Sequence, residues 1–347
     1  FRQHPWRIVI VKPEKGRTAQ MDRELEEKLQ AYKNSLSAGE QEALVERTKA
    51  LEAYQSAPPA PDDEEDLAKI PILKREDISR DIEPIINEEM NISGIPVVFH
   101  EIETNGIGYV DVMFDLSGVS EEMLPYVGIL QSVLGIIDTE HFEYGALFNE
   151  INMHTGGIGT SLELYSDVTN VREKAFRATF EIKAKALYAK LPVAFDMMAE
   201  ILTQSKLEDE KRLKEILAML KSRLLMKFQS SGHTTAALRA MSYSSPSAKL
   251  KDMTNGIEFY EKVAYIEEHF EEEKANWSRI LEPGKTIVPA DNMMLSYTAA
   301  KEGLQDMKTM ILSMKASLNH EEPKDSPCMI HCQKKNEGFK TASKSSM

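Results

Sequence analysis

Eight histidines stand at positions 4, 100, 141, 154, 233, 269, 320 and 331, and no two are four residues apart. Helical zinc peptidases hold their metal through H-E-x-x-H or H-x-x-E-H, because that spacing aims both imidazoles from one helix face. Neither arrangement exists in this chain. Cys328, His331 and Cys332 carry ligand types that zinc prefers, but they are one short of the four protein ligands of a structural site. Their Lys- and Ser-rich flanks predict a tail with two free thiols, and no base or oxyanion donor accompanies them for nucleophilic catalysis. Asp138, Glu140, His141 and Glu143 gather at a helix start, where acids meet the positive end of the helix dipole, so a solvated cap is expected there. Gly156-Gly157-x-Gly159 is followed by a strand pattern, which suits a tight turn and not a dinucleotide loop. Ser231-Gly232-His233 places a hydroxyl beside an imidazole, but sequence neighbours seldom point at each other, and Gly232 reads as a break between helices. No nucleophile elbow or P-loop occurs. These residues nominate no catalytic and no metal-ligating position, including His100, His141, His154 and His233, and leave the substrate-binding residues undefined.

Composition narrows the partners. The 347 residues carry 42 Lys and Arg against 56 Asp and Glu, a net charge of −14. Such a surface repels phosphate, which disfavours nucleic acid and anionic membrane as partners. Two cysteines and eighteen methionines suit a reducing compartment, the cytoplasm or an organelle matrix. No apolar run reaches the ~20 residues that span a bilayer. The chain opens at Phe1 directly into Ile8–Val11 and fades into polar residues before Met347, so it reads as a piece of a longer polypeptide.

The elements that would position any site follow from periodicity. Residues 6–12 read as a short strand stopped by Pro13. Met21, Leu25, Leu29, Tyr32 and Leu36 form one helical stripe. Ser37 and Glu40 supply a capping box for a second helix with Leu44, Val45, Leu51 and Tyr54. The spacing predicts an antiparallel helical hairpin over 14–56 whose contacts use Leu25, Leu29, Tyr32, Leu44 and Leu51. Residues 57–66 are prolines followed by five acids, a linker composition.

Beyond the linker, Val110, Val112, Phe114 and Leu116 alternate with Asp111 and Asp115. Phe176, Phe180 and Ile182 alternate with Arg177, Glu181 and Lys183. Such strands have one buried and one wetter face. Helices are predicted at 122–137 (after Ser120 as N-cap), 141–153, 192–204, 208–229, 233–243, 256–273 and 301–318, with strands at 160–165 and 293–298. The fold class is α+β: an antiparallel sheet with helices packed on one face, preceded by the hairpin.

This order of pieces resembles the presequence-protease branch of the pitrilysin/insulinase zinc metallopeptidases. The resemblance rests on Arg7–Pro13, on Asn91-Ile92-Ser93-Gly94-Ile95-Pro96-Val97-Val98-Phe99-His100, on Thr155-Gly156-Gly157, on Asp209–Leu217 and on Ser231–Ala240. It implies that 1–13 end a preceding domain, 14–68 form hairpin and linker, 69–320 a third, catalytically degenerate α+β domain, and 321–347 a tail into a truncated fourth. It further implies a zinc-dependent endopeptidase for short unstructured peptides, with the hairpin as hinge and the third domain as a chamber wall. Zinc and general base would lie in a first domain outside this chain, so no catalytic residue is carried over and no cofactor is expected in this part. Its partners would be short unfolded peptides and the other half of the same polypeptide. The alternative is a degenerate peptidase-like scaffold or peptide-binding subunit without hydrolysis.

Overall fold

The computed structural model describes residues 16–57, 66–81, 86–166, 176–273, 288–318 and 330–340. The strand expected at 6–12, most of the Pro/acid linker and Cys328 lie outside the described residues. The chain forms two compact units, Phe1–Glu83 and Pro84–Met347.

In the first unit, helices α1 (Arg17–Ser35) and α2 (Ala38–Ser56) are joined through Leu36 and Ser37. The capping box is formed: the Glu40 carboxylate accepts the Ser37 amide at 2.8 Å and the Ser37 hydroxyl accepts the Glu40 amide. The expected packing of the two stripes is absent. Leu25, Leu29, Tyr32, Leu44 and Leu51 are all exposed, Leu29 at 58%. The reason lies in α2: at ~100° per residue its four large apolar side chains spread over roughly half the helix circumference, so it has no narrow stripe to match that of α1.

The second unit is built on a six-stranded sheet. Its strands are β1 (Glu88–Ile92), β2 (Ile95–Glu101), β3 (Ile107–Asp115), β4 (Ile158–Ser166), β5 (Phe176–Leu187) and β6 (Met293–Ala299). The spatial order is β1-β2-β6-β3-β5-β4. All pairs are antiparallel except β2 with β6, which run parallel with Val97 beside Leu295. Register stacks the apolar positions: Val112 lies between Leu295 and Ile182, and Phe114 between Met293 and Phe180. Val110, Val112, Phe114, Phe180 and Ile182 are buried together as expected, with Phe176 partly buried at the margin of the same core.

Helices cover that face in two layers. The first holds α3 (Leu124–Val133), α4 (Tyr144–His154) and α5 (Leu191–Thr203), together with α8 (Pro246–Asn255) and α10 (Met307–Ser317). The second holds α6 (Glu210–Ser230) and α9 (Ile257–Glu268), with α7 (Gly232–Ser242) packed on α8. Helix α3 serves both layers. Leu124, Val127 and Leu130 enter the sheet core, while Tyr126, Ile129 and Val133 enter the core shared with α6 and α9. A helix apolar all round has to be buried all round. Ser120 precedes a short 3-10 turn and makes no side-chain cap, so α3 starts at Leu124 with Pro125 in its first turn. Helix α8 falls between two expected helices, and its signal is Ser245 as N-cap with Pro246 at the first helical position.

Candidate functional site: the open face of the sheet

Alternation fixes which side chains reach the uncovered face. Strand β3 contributes Tyr109, Asp111 and Asp115, β5 contributes Arg177, Thr179, Glu181 and Lys183, and β4 contributes Ser161, Glu163 and Tyr165. Register brings Asp111 beside Lys183, and Ser161 beside Glu181. Three carboxylates therefore converge on one ammonium. Lys183 Nζ lies 2.8 Å from Glu181, 3.3 Å from Glu163 and 3.4 Å from Asp111. The Tyr165 hydroxyl donates to Glu181 Oε1 at 2.8 Å, and the Thr179 hydroxyl donates to the same oxygen. Further along the face, Arg177 pairs with Asp115 at 3.2 Å.

The wet-face expectation holds for Asp111, Asp115 and Lys183 and fails for Glu181, whose side chain is 0% exposed. Tyr165, Thr179 and Lys183 supply the polar partners that a buried carboxylate requires. Burial raises the Asp111 carboxyl to about 6, and the neighbouring Glu181 charge adds to the rise more than Lys183 offsets. Lys183 is pushed above the ordinary lysine range: burial opposes this, and the Glu181 hydrogen bond and the Asp111 charge outweigh it. Burial and the bond to Glu181 likewise raise the Tyr165 phenol.

A cleft of about 530 Å³ opens beside this cluster, lined by Tyr109, Asp111, Gly157, Lys183, Ser296 and Thr298 among others. Gly157 turns α4 into β4 with φ +124°, a conformation that side chains rarely adopt. The glycine run is thus the tight turn expected of it, and it walls the cleft. The surface offers hydrogen-bonding groups and an acidic excess next to the rings of Tyr109 and Tyr165.

The other nominated residues are dispersed. Asp138 accepts the Tyr144 amide at 2.8 Å at the start of α4, His141 pairs with Glu200 at 2.9 Å, and Glu140 approaches Lys206 at 3.9 Å. Of the expected cap only the Asp138 bond forms, and Glu143, the N-cap residue, makes no side-chain cap. His154 sits between Glu150 and Lys190, His100 bonds Ser296, and His331 pairs with Glu121 at 2.8 Å. Cys332 is a half-buried free thiol. Around Ser231 the backbone carbonyl, not the hydroxyl, is engaged, accepting from Thr234 and Thr235. Among the described residues no group of three or more His, Cys, Asp or Glu is placed to hold a metal ion. No described helix is long and apolar enough to cross a membrane.

One residue escaped sequence reasoning. Arg239 is 6% exposed and pairs with Asp252, with Glu258 at 3.2 Å and with Glu337. Its signal was present: Thr235, Arg239 and Ser242 share one face of α7 and all three are buried.

Comparison with known proteins converges on one family. The profile of the domain associated with M16 peptidases of subgroup C matches residues 11–266. Protein HypA of Clostridium perfringens is 32% identical over 335 residues, covering 96% of this chain and 34% of that protein. Presequence protease 1, chloroplastic/mitochondrial, of Arabidopsis thaliana is 24% identical, covering 78% of this chain and 25% of its own. A crystal structure of a peptidase M16 inactive domain from Pseudomonas fluorescens aligns with a TM-score of 0.46 at 14% identity, over 70% of this chain and 52% of that one. The chain thus spans about a third or less of the length of these two curated relatives. It belongs to the family of domains associated with subgroup C of the M16 peptidases, on the presequence-protease branch that its motifs resemble.

Proposed function

We propose that this chain is the noncatalytic part of a zinc-dependent endopeptidase that degrades short unstructured peptides. In this reading Pro84–Met347 walls the peptide chamber with its open sheet face, and α1 and α2 form the hinge between two halves of a longer polypeptide. Zinc and the general base belong to another part of that polypeptide, and the setting is the cytoplasm or an organelle matrix. The observation that carries the reading is the contrast between the two sheet faces. One is closed by two layers of helices. The other stays open, with a cleft of about 530 Å³ beside ordered hydrogen-bonding groups. An extended peptide lying there meets donors, acceptors and the rings of Tyr109 and Tyr165 without a demand for sequence.

The test joins metal analysis of the purified chain with cleavage of an unstructured fluorogenic peptide. Catalysis of this type takes about three protein ligands to zinc, an open position for water, and a carboxylate base. The expected result is substoichiometric zinc, no turnover, and photo-crosslinking of the peptide to the open face. One zinc per chain with chelator-sensitive turnover overturns the reading, as does crosslinking confined to the helical face.

A further inference from the structure

Away from the open sheet face, α7, α9, the end of α6 and the segment 335–339 laid against them together line a groove of about 540 Å³. We propose that this groove is a peptide-reading surface, selective for an extended segment with a carboxylate two residues before an aromatic ring, and that the chain's own Glu337-Gly338-Phe339 is its occupant.

Two donors converge on one oxygen. Arg239 Nε–H and the Tyr243 hydroxyl, the latter at 2.8 Å, both donate to Glu337 Oε1. Two residues on, Phe339 meets Phe228 edge-to-face at 5.5 Å and Tyr260 at 5.6 Å, and those two rings are themselves T-shaped at 5.6 Å. Such contacts add directional preference to apolar burial. Among the described residues, no main-chain-to-main-chain hydrogen bond joins 330–340 to the helices. Within 335–339 the contacts with these helices run through the side chains of Glu337 and Phe339, whereas nearer its start the His331 amide and ring hold Glu121.

Charge bookkeeping shows why the occupant is separable. Arg239 keeps Asp252 and Glu258, and Lys249 also pairs with Glu258. Two cations and two carboxylates balance without Glu337. Removing the segment therefore strands no buried charge, the event that makes broken internal ion pairs so costly. It frees only Arg239 Nε–H and the Tyr243 hydroxyl to receive another carboxylate. The Arg239 hydrogen bond, then that of Tyr243, hold the Glu337 carboxyl at about 2, so this ligand stays anionic at any ordinary pH.

The experiment uses the full chain carrying Glu337→Ala and Phe339→Ala, with a fluorescein-labelled peptide Lys-Asn-Glu-Gly-Phe-Lys as probe. Fluorescence anisotropy should show saturable binding to the double variant, about tenfold tighter than to the unmodified chain, whose groove is occupied. The same peptide with Gln for Glu should bind the double variant at least about tenfold more weakly, since a charge-assisted hydrogen bond is lost. Absence of saturable binding to a folded double variant, or equal binding of the Gln peptide, overturns the proposal. Should the double variant lose its helical circular dichroism, the near-isosteric Glu337→Gln chain replaces it. That chain must bind the Glu-containing peptide more tightly than the unmodified chain does, and equality overturns the proposal.

Discussion

Gly128 on α3 lies directly against the ring of Phe259: a Cβ at position 128 would come within 2.8 Å of the ring and 3.0 Å of the Thr254 carbonyl oxygen. The contact joins the helix that serves both cores to the outer layer. Alanine is the better helix former by ~1 kcal/mol, but overpacking typically costs about 1–3 kcal/mol, and a backbone carbonyl cannot swing aside. Gly128→Ala should therefore destabilise the chain by up to about 2 kcal/mol in urea unfolding. A gain in stability would show that α3 and α9 can part freely.

Asp111 gives the chain a pH signature. Its carboxyl is raised from 3.8 to about 6, so the folded state binds this proton more tightly than the unfolded chain does. Its contribution is therefore most favourable below about pH 4, declines as pH rises from about 4 to 6, and is flat above that. Allowing for solvent at its exposed edge, the decline is on the order of 1–2 kcal/mol. Asp111→Asn should remove that slope and gain stability relative to the unmodified chain between about pH 4.5 and 7.5. An unchanged pH profile would contradict the environment described for Asp111.

Lys183 is the cation on which Glu181, Glu163 and Asp111 converge. Lys183→Met should cost about 2 kcal/mol, less than the roughly 3–5 expected at a fully buried pair because the lysine is partly solvated. Adding Glu181→Gln in that background should recover part of the loss, and the double-mutant cycle reads the coupling. Strict additivity of the two substitutions would mean that the pair does not interact.

Leu25→Ser and Leu29→Ser make the opposite test. Both side chains are more than half exposed in α1, so each variant of this chain should keep its unfolding free energy within about 0.5 kcal/mol. Losses of about 2 kcal/mol or more, measured by urea unfolding, would show that the stripe is buried within the chain itself.

What the sequence disclosed follows physical lines. Alternation in β3 and β5 was legible because one face is apolar throughout, and the Ser37–Glu40 box because its partners are three residues apart. Pairing between distant segments left no local trace, so the parallel contact of Val97 with Leu295 was not foreseeable. The same holds for the partners of Arg239, which lie on α8, α9 and the segment near Phe339. Glu181 looked like any solvent-facing strand acid, because the cover that Tyr165 gives it from β4 depends on strand order. The α1 stripe was read correctly as a helix face. A stripe names no partner, and α2 could not supply one.

The place of β6 bears on how the chain comes to be folded at all. It lies between β2 and β3, strands that only a short loop separates in sequence, yet it is the last strand of the sheet in chain order. During synthesis β1 to β5 therefore emerge as two detached patches, β1-β2 and β3-β5-β4, each with an open edge where β6 belongs. Only when Ala299 has left the ribosome can one strand complete both at once. Until then the apolar faces of Val97, Phe99, Val110 and Val112 lack their central neighbour, which leaves apolar surface uncovered in the nascent chain and sets a slow, long-range step late in folding.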